Sequence, residues 1–127
     1  MPEVSIIIPV YNNEAYVQKC IVSVKKQSFE DFEAIIVNDG STDSSRGIIE
    51  ALIEKDERFH LINQENQGVA AARNRGIDLA KGKYLTFIDG DDYIGRDYLK
   101  NLYEAAETAQ AKMVICGSAI QVKTGKS

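Results

Sequence analysis

The run Val4-Ser5-Ile6-Ile7-Ile8, followed at once by Pro9, constrains the fold of this chain more than any other stretch. It is β-branched almost throughout and lacks the polar–apolar alternation of a half-wet strand. That pattern predicts a central strand buried on both faces, with the proline stopping it. Such a strand needs parallel neighbours and a layer of helices on each side, and the rest of the chain supplies both. Val17, Cys20, Ile21 and Val24 recur at helical spacing and predict an amphipathic helix over about 14–27. A second strand follows at 32–37. After it comes a helix on which Ile48, Ile49, Leu52 and Ile53 face inward, with Asp43 or Ser44 as its N-cap. Residues 59–63 predict a third strand, and 67–80 an alanine-rich helix closed by Gly82. Residues 84–88 predict a fourth strand. Asp97 can cap a helix burying Tyr98, Leu99, Leu102, Tyr103 and Ala106, and 113–116, continued to Val122, reads as a fifth strand. The alternation predicts one α/β domain with a Rossmann-like, mostly parallel sheet and helices on both faces. Its span is 1–122, and the tail 123–127 shows no periodicity.

With 127 residues, 44% of them hydrophobic and 27% charged, the chain has the size and composition of one ordinary globular domain. Lys and Arg number 15 against 19 Asp and Glu, a formal net charge of −4 with no basic stripe, so nothing electrostatic argues for a nucleic-acid partner. An anionic small molecule stays open, because a bound cation inverts the local field. Cys20 and Cys116 form no C-x-x-C pair and read as buried free thiols, and the lone His60 reads as structural. No apolar stretch is long enough to span a membrane, and the N-terminus has no basic-then-apolar leader pattern. The expectation is a cytoplasmic protein, reaching the inner face of a membrane only through segments outside this chain.

In open α/β sheets, ligands bind where the loops after the strands gather. Here those loops are 9–14, 38–43, 63–68 and 89–92. The last is Asp89-Gly90-Asp91-Asp92, three carboxylates within four residues. Such crowding is tolerated when a cation or well-placed donors offset it. Two readings stand: a divalent-metal site holding a phosphorylated substrate, or a solvated acidic turn. Tyr11 offers a flat ring for stacking, Asp39 an acceptor for a base N–H or a ribose hydroxyl, and Arg73 a rigid fork of donors. Hard carboxylate oxygens suit Mg²⁺ or Mn²⁺, which would bridge to a diphosphate. Each has a plain structural counterpart. Asp39 could shape a turn, Tyr11 could be core, Arg75 could decorate a helix, and Glu14 could complement the dipole of the first helix.

The succession Pro9-Val10-Tyr11-Asn12, Val37-Asn38-Asp39-Gly40-Ser41-Thr42-Asp43, Asn66-Gln67-Gly68 with Ala72-Arg73-Asn74-Arg75-Gly76, and Phe87-Ile88-Asp89-Gly90-Asp91-Asp92 resembles the family 2 glycosyltransferases over nearly the whole chain. The resemblance implies the nucleotide-sugar-binding half of the GT-A fold. It implies nucleotide contacts from Pro9, Tyr11, Asn12, Asp39, Arg73 and Asp91, and metal contacts from Asp89, Asp91 and Asp92 in the D-x-D region, with two alignments of that region open. The implied chemistry is inverting transfer of a sugar from a nucleotide-diphosphate donor, a UDP-sugar by default, to the hydroxyl of a saccharide, lipid-linked sugar or protein. The general base such a reaction needs is a downstream carboxylate in that family, expected beyond Ser127. Glu104 and Glu107 read as surface residues. Two other classes remain. A nucleotidyltransferase would want a glycine- and lysine-rich phosphate loop, which 9–14 lacks. A non-catalytic binding module would not need the full set of donor-half carboxylates present here.

Overall fold

The computed structural model describes residues 2–109, 113–116 and 118–122. Ten elements follow one another: β1 (Val4–Val10), α1 (Val17–Lys25), β2 (Phe32–Asp39), α2 (Ser45–Ile53), β3 (Phe59–Gln64), α3 (Val69–Leu79), β4 (Tyr84–Phe87), α4 (Tyr98–Ala109), β5 (Met113–Cys116) and β6 (Ser118–Val122). They form one six-stranded sheet of order β3-β2-β1-β4-β6-β5, parallel among the first four. β1 is central and buried along its whole length, as the β-branched run predicts. Its alternate residues serve opposite faces. Ile6 and Ile8 pack with Val17, Cys20, Ile21 and Val24 of α1, Ile49 of α2 and Leu99 of α4. Ile7 turns the other way, joining Ile35, Val37 and Leu85 against Ala72 of α3.

The structure departs from the sequence reading at several joints. Residues 113–122 are not one strand: Cys116 pairs with Ser118, and β6 runs antiparallel to both β5 and β4. The Gly-Ser dipeptide at 117–118 is a turn signal that the flanking apolar residues mask. Strand β1 does not stop at Pro9 but runs to Val10, with Pro9 opposite Val37 of β2. A strand residue presents its N–H and C=O to the same side. Pro9 O accepts the Gly90 N–H, so the missing N–H falls on the β4 side, past the last β1–β4 pair, Ile7 and Phe87.

Helix α1 starts at Val17, since Asn13 O takes both the Tyr16 and Val17 N–H groups and holds 14–16 as a turn. Gln27 lies beyond the helix and is buried. Its amide oxygen accepts the Leu99 N–H in the first turn of α4 at 2.9 Å, while its NH₂ donates to Ser23 O and Gly95 O. Asp97 stands at the expected cap position, its C=O accepting the Asn101 N–H at 2.9 Å, while its carboxylate accepts the Ser28 hydroxyl. Gly82, by contrast, is no helix cap. α3 ends at Ala80 in extended conformation, and Gly82 lies flat on β1, its N–H donating to Ser5 Oγ at 2.7 Å. Cys20 is a buried free thiol, and His60 is exposed on β3. The Cys116 side chain and the tail 123–127 lie outside the described residues.

At the far end of β2, Arg58 lies over the Phe32 ring, 4.4 Å from its centroid, and pairs with Asp56 at 2.9 Å. The Arg58 hydrogen bond holds the Asp56 carboxyl below its ordinary pKa. A depressed carboxylate contributes stability that is present above its unfolded pKa and lost as pH falls through the folded one. Denaturant titrations from pH 5 to pH 2 should therefore show part of the acid destabilisation vanish in Asp56→Asn. An identical pH slope in the variant would contradict the assignment.

Candidate functional site

The carboxyl ends of β1, β2 and β4 open onto a cleft of about 430 Å³. Its walls include Pro9, Val10, Tyr11, Asn13, Asp39, Asn66, Gly68, Ala72, Arg73, Asp89, Gly90 and Asp91. The volume falls in the range of roughly 300–1,000 Å³ usual for small-molecule sites. The position is the one the sheet topology dictates: β1 lies between β2 and β4, and the connections from those two strands diverge around its end.

Asp39 closes β2 and is 3% exposed. Its Oδ1 accepts Gln64 Nε2–H and the Gln67 N–H, each at 2.9 Å, and Oδ2 accepts the Gly68 N–H at 2.9 Å. Asn66 adds a bond from its NH₂ to Asp39 O at 3.0 Å and a longer one to Oδ2. Loop 64–68 and the start of α3 are thus wrapped around one carboxylate. The next residue, Gly40, has φ +74°, and a Cβ there would meet Asn66 N at 2.6 Å, so glycine serves both the backbone sign and the close approach.

Across the cleft, loop 11–14 is bolted to loop 41–45. Asn12 has φ 51°, a left-handed conformation that asparagine tolerates. Its N–H donates to Ser41 Oγ, and its side-chain oxygen accepts the Thr42 and Asp43 N–H groups at 2.8 and 3.3 Å. Glu14 complements α2 rather than α1: Oε1 accepts the Ser44 N–H at 2.9 Å, while its own N–H donates to Asp43 Oδ2. Burial, the largest single influence on Asp43, raises its pKa, yet the bonds from Ser45 and Glu14 together hold it below the ordinary value. Asn12 is bound up in this clasp and does not line the cleft. Asn13 does, its side-chain oxygen accepting the Tyr11 N–H at 3.0 Å. Tyr11 is not core, being 49% exposed at the rim.

Asp89, Asp91 and Asp92 each present a carboxylate oxygen within 4.8 Å of the others. The loop is tight: Asp92 N–H donates to Asp89 O at 3.0 Å, and a Cβ on Gly90 would meet Asn13 Oδ1 at 2.7 Å. Beneath it the Cys20 thiol lies 3.6 Å from Asp89 O. Burial first, and then the charges of Asp92, Asp91 and Asp89, push that thiol up to about 12, so it stays protonated. Arg73, on α3, reaches across to Asp89 with Nη2–Oδ1 at 3.1 Å. The donor set fits a hard divalent cation: three carboxylates converge, and only one of them has a cationic partner among the described residues.

The structure therefore brings Pro9, Tyr11, Asp39, Arg73, Asp89 and Asp91 to one cleft, puts Asp92 beside it and sets Asn12 behind it. Asn13, Asn66 and Gly68 also line it without having been singled out. For Asn66 and Gly68 the signal was the Asn-Gln-Gly triplet after β3. Asn13 was hidden by the identical residue before it. Glu107 is remote from the cleft, bonded to Lys83 and Tyr84. Among the described residues, no helix is long and apolar enough to cross a membrane.

Comparison with known proteins agrees with this architecture. The family described as "Glycosyl transferase family 2" matches residues 5–124. EpsJ, an uncharacterized glycosyltransferase of Bacillus subtilis (strain 168), is 44% identical over 117 residues, covering 92% of this chain and 34% of EpsJ. The S. aureus protein TarS (residues 1–349), solved in complex with UDP-GlcNAc, superposes with a TM-score of 0.82 at 30% identity, over 87% of this chain and 33% of that one. The mannosyltransferase PcManGT of Pyrobaculum calidifontis, solved with GDP-Man and Mn²⁺, shares the fold at a TM-score of 0.83 and 23% identity, over 99% of this chain and 37% of that one. The chain thus spans about a third of the length of EpsJ, of the TarS 1–349 piece and of PcManGT. On the fold, the cleft and the match over 5–124 together, this chain belongs to the family 2 glycosyltransferases and has their GT-A-type α/β architecture.

Proposed function

We propose that the cleft binds the nucleotide of a sugar-nucleotide donor, and that this chain is the donor half of an inverting glycosyltransferase acting on an acceptor hydroxyl. The observation that carries the reading is the convergence of Tyr11, Asp39, Arg73, Asp89 and Asp91 on one cleft with the carboxylate triad at its side. The base would lie between Pro9, Tyr11 and the Asp39–Gly68 wall, where Asp39 Oδ2 carries only one short bond and retains room to accept a base N–H. Arg73 would meet the nucleotide from α3, and Asn12 would act by holding Tyr11's loop. Asp91 would touch the ribose or the cation, with Asp89 and Asp92 completing a Mg²⁺ or Mn²⁺ site. The bound cation would supply neutralisation of the charge that grows on the departing diphosphate. UDP is the favoured nucleotide because TarS, 30% identical, carries UDP-GlcNAc.

Inversion by direct displacement also needs a base on the acceptor hydroxyl. The carboxylates of the cleft are committed to the cation or to loop 64–68, so we assign the base and the acceptor site to protein outside residues 1–127. In the same reading 1–122 form the donor domain and 123–127 are its tail. Calorimetric titration of UDP with and without Mn²⁺ tests the assignment. Binding should require the metal, and the Asp91→Asn/Asp92→Asn double variant should lose that metal dependence, with UDP affinity falling on the order of 100-fold. Unchanged affinity in the double variant would sink it.

A further inference from the structure

Arg73 is the one cation paired with the carboxylate triad among the described residues, and its own bonding is incomplete. Nη2 reaches Asp89 Oδ1 at 3.1 Å, whereas Nε is buried with no hydrogen-bond partner. A buried donor without an acceptor is costly, and a guanidinium has five N–H groups to place. The remaining ion pairs, Arg46–Glu50, Arg58–Asp56 and Lys83–Glu107, involve no residue of the cleft. Arg73 therefore lines the cleft and also supplies the positive charge held against the carboxylate triad. The pair is also easily given up, since its side chains are 41% and 47% exposed, and ion pairs so exposed hold weakly.

We propose that Arg73 is a built-in counter-ion that opposes cation binding at Asp89, Asp91 and Asp92 until an anionic diphosphate is present, so that metal and nucleotide enter as a coupled pair. This rests on the donor-site reading above. Without nucleotide, the fixed positive charge beside Asp89 lowers the negative potential that would draw a divalent ion, whichever Asp89 oxygen that ion uses. A diphosphate reverses the balance. It offers the solvent-facing part of the guanidinium new acceptors and places negative charge between the two cations. The coupling is reciprocal: whatever factor nucleotide adds to metal affinity, metal adds to nucleotide affinity. A residue that merely oriented Asp89 for the metal would have the opposite signature, because its loss would weaken metal binding.

The test is calorimetric titration of Mn²⁺ into the protein, alone and with saturating UDP, for wild type, Arg73→Gln and Arg73→Lys at low salt. Without UDP, Arg73→Gln should bind Mn²⁺ on the order of tenfold more tightly than wild type, and Arg73→Lys, which keeps the charge, should stay near the wild-type value. The tightening of Mn²⁺ by UDP should shrink in Arg73→Gln. Equal or weaker Mn²⁺ binding by Arg73→Gln, in a protein whose wild type binds both ligands, overturns this inference alone. A wild type that binds neither Mn²⁺ nor UDP overturns it together with the donor-site reading.

Discussion

Asp39→Ala is expected to lose about 3 kcal/mol of stability and on the order of 100-fold in UDP affinity, because one substitution strips the acceptor from several donors at once. In the folded protein the carboxylate takes the N–H groups of Gln67 and Gly68 and the side-chain amide of Gln64, all at 2.9 Å. It is 3% exposed, so an alanine would leave those donors without the acceptor that offsets their burial. Asp39→Asn sharpens the case: it keeps shape and one oxygen but turns an NH₂ toward N–H donors, so it should fall close to alanine. Urea denaturation reads the stability and calorimetry the affinity. An asparagine variant that matches wild type in both would show that the carboxylate is not what holds loop 64–68.

Gly82→Ala should be as damaging to the fold while sparing the site. An added Cβ would lie 2.6 Å from both the N and Oγ of Ser5 and 2.8 Å from the Val4 carbonyl carbon. Backbone cannot step aside as a side-chain end can. The Ser5 hydroxyl also sits in a buried chain of bonds, accepting from the Gly82 N–H and donating to Glu33 Oε2, which takes the Lys81 N–H as well. Overpacking and a broken polar chain together should lower stability by about 3 kcal/mol. The denaturation midpoint should drop with an unchanged slope, and UDP affinity of the remaining folded protein should be preserved, because these contacts lie at the end of the sheet opposite the cleft. A loss under roughly 0.5 kcal/mol would mean that β1 and the 81–83 turn can separate at little cost.

The two substitutions also mark what a sequence can and cannot disclose. The buried runs of β1 and β2 and the inward faces of the helices were legible because period and burial are local properties. The cleft loops were legible as a set because topology sends them all to one edge. Long-range hydrogen bonds were not. Nothing in the spacing of Gln27 announces that it caps α4, and nothing around Gly82 announces that it lies on Ser5; both depend on residues about seventy positions away. The same blindness offered Glu14 the dipole of the helix next to it in sequence and left its bond to α2 unseen, and it let the apolar stretch after Met113 conceal a reversal. Asp39 was recognised, but as a ligand contact. Its grip on loop 64–68 emerges only when β2 and β3 lie side by side.

That grip has a kinetic consequence. In many phosphate and nucleotide sites a polar loop collapses onto its ligand, and encounter is slowed by the search for the closed form. Here the ordering of 64–68 has already been settled during folding, by a carboxylate that belongs to the sheet. A nucleotide arriving at this wall, in the reading proposed above, would meet side chains already in their final places. Its association rate should therefore be governed by diffusion and by the electrostatics of the cleft mouth. Differences in affinity among nucleotides should then appear almost wholly in how long each one stays.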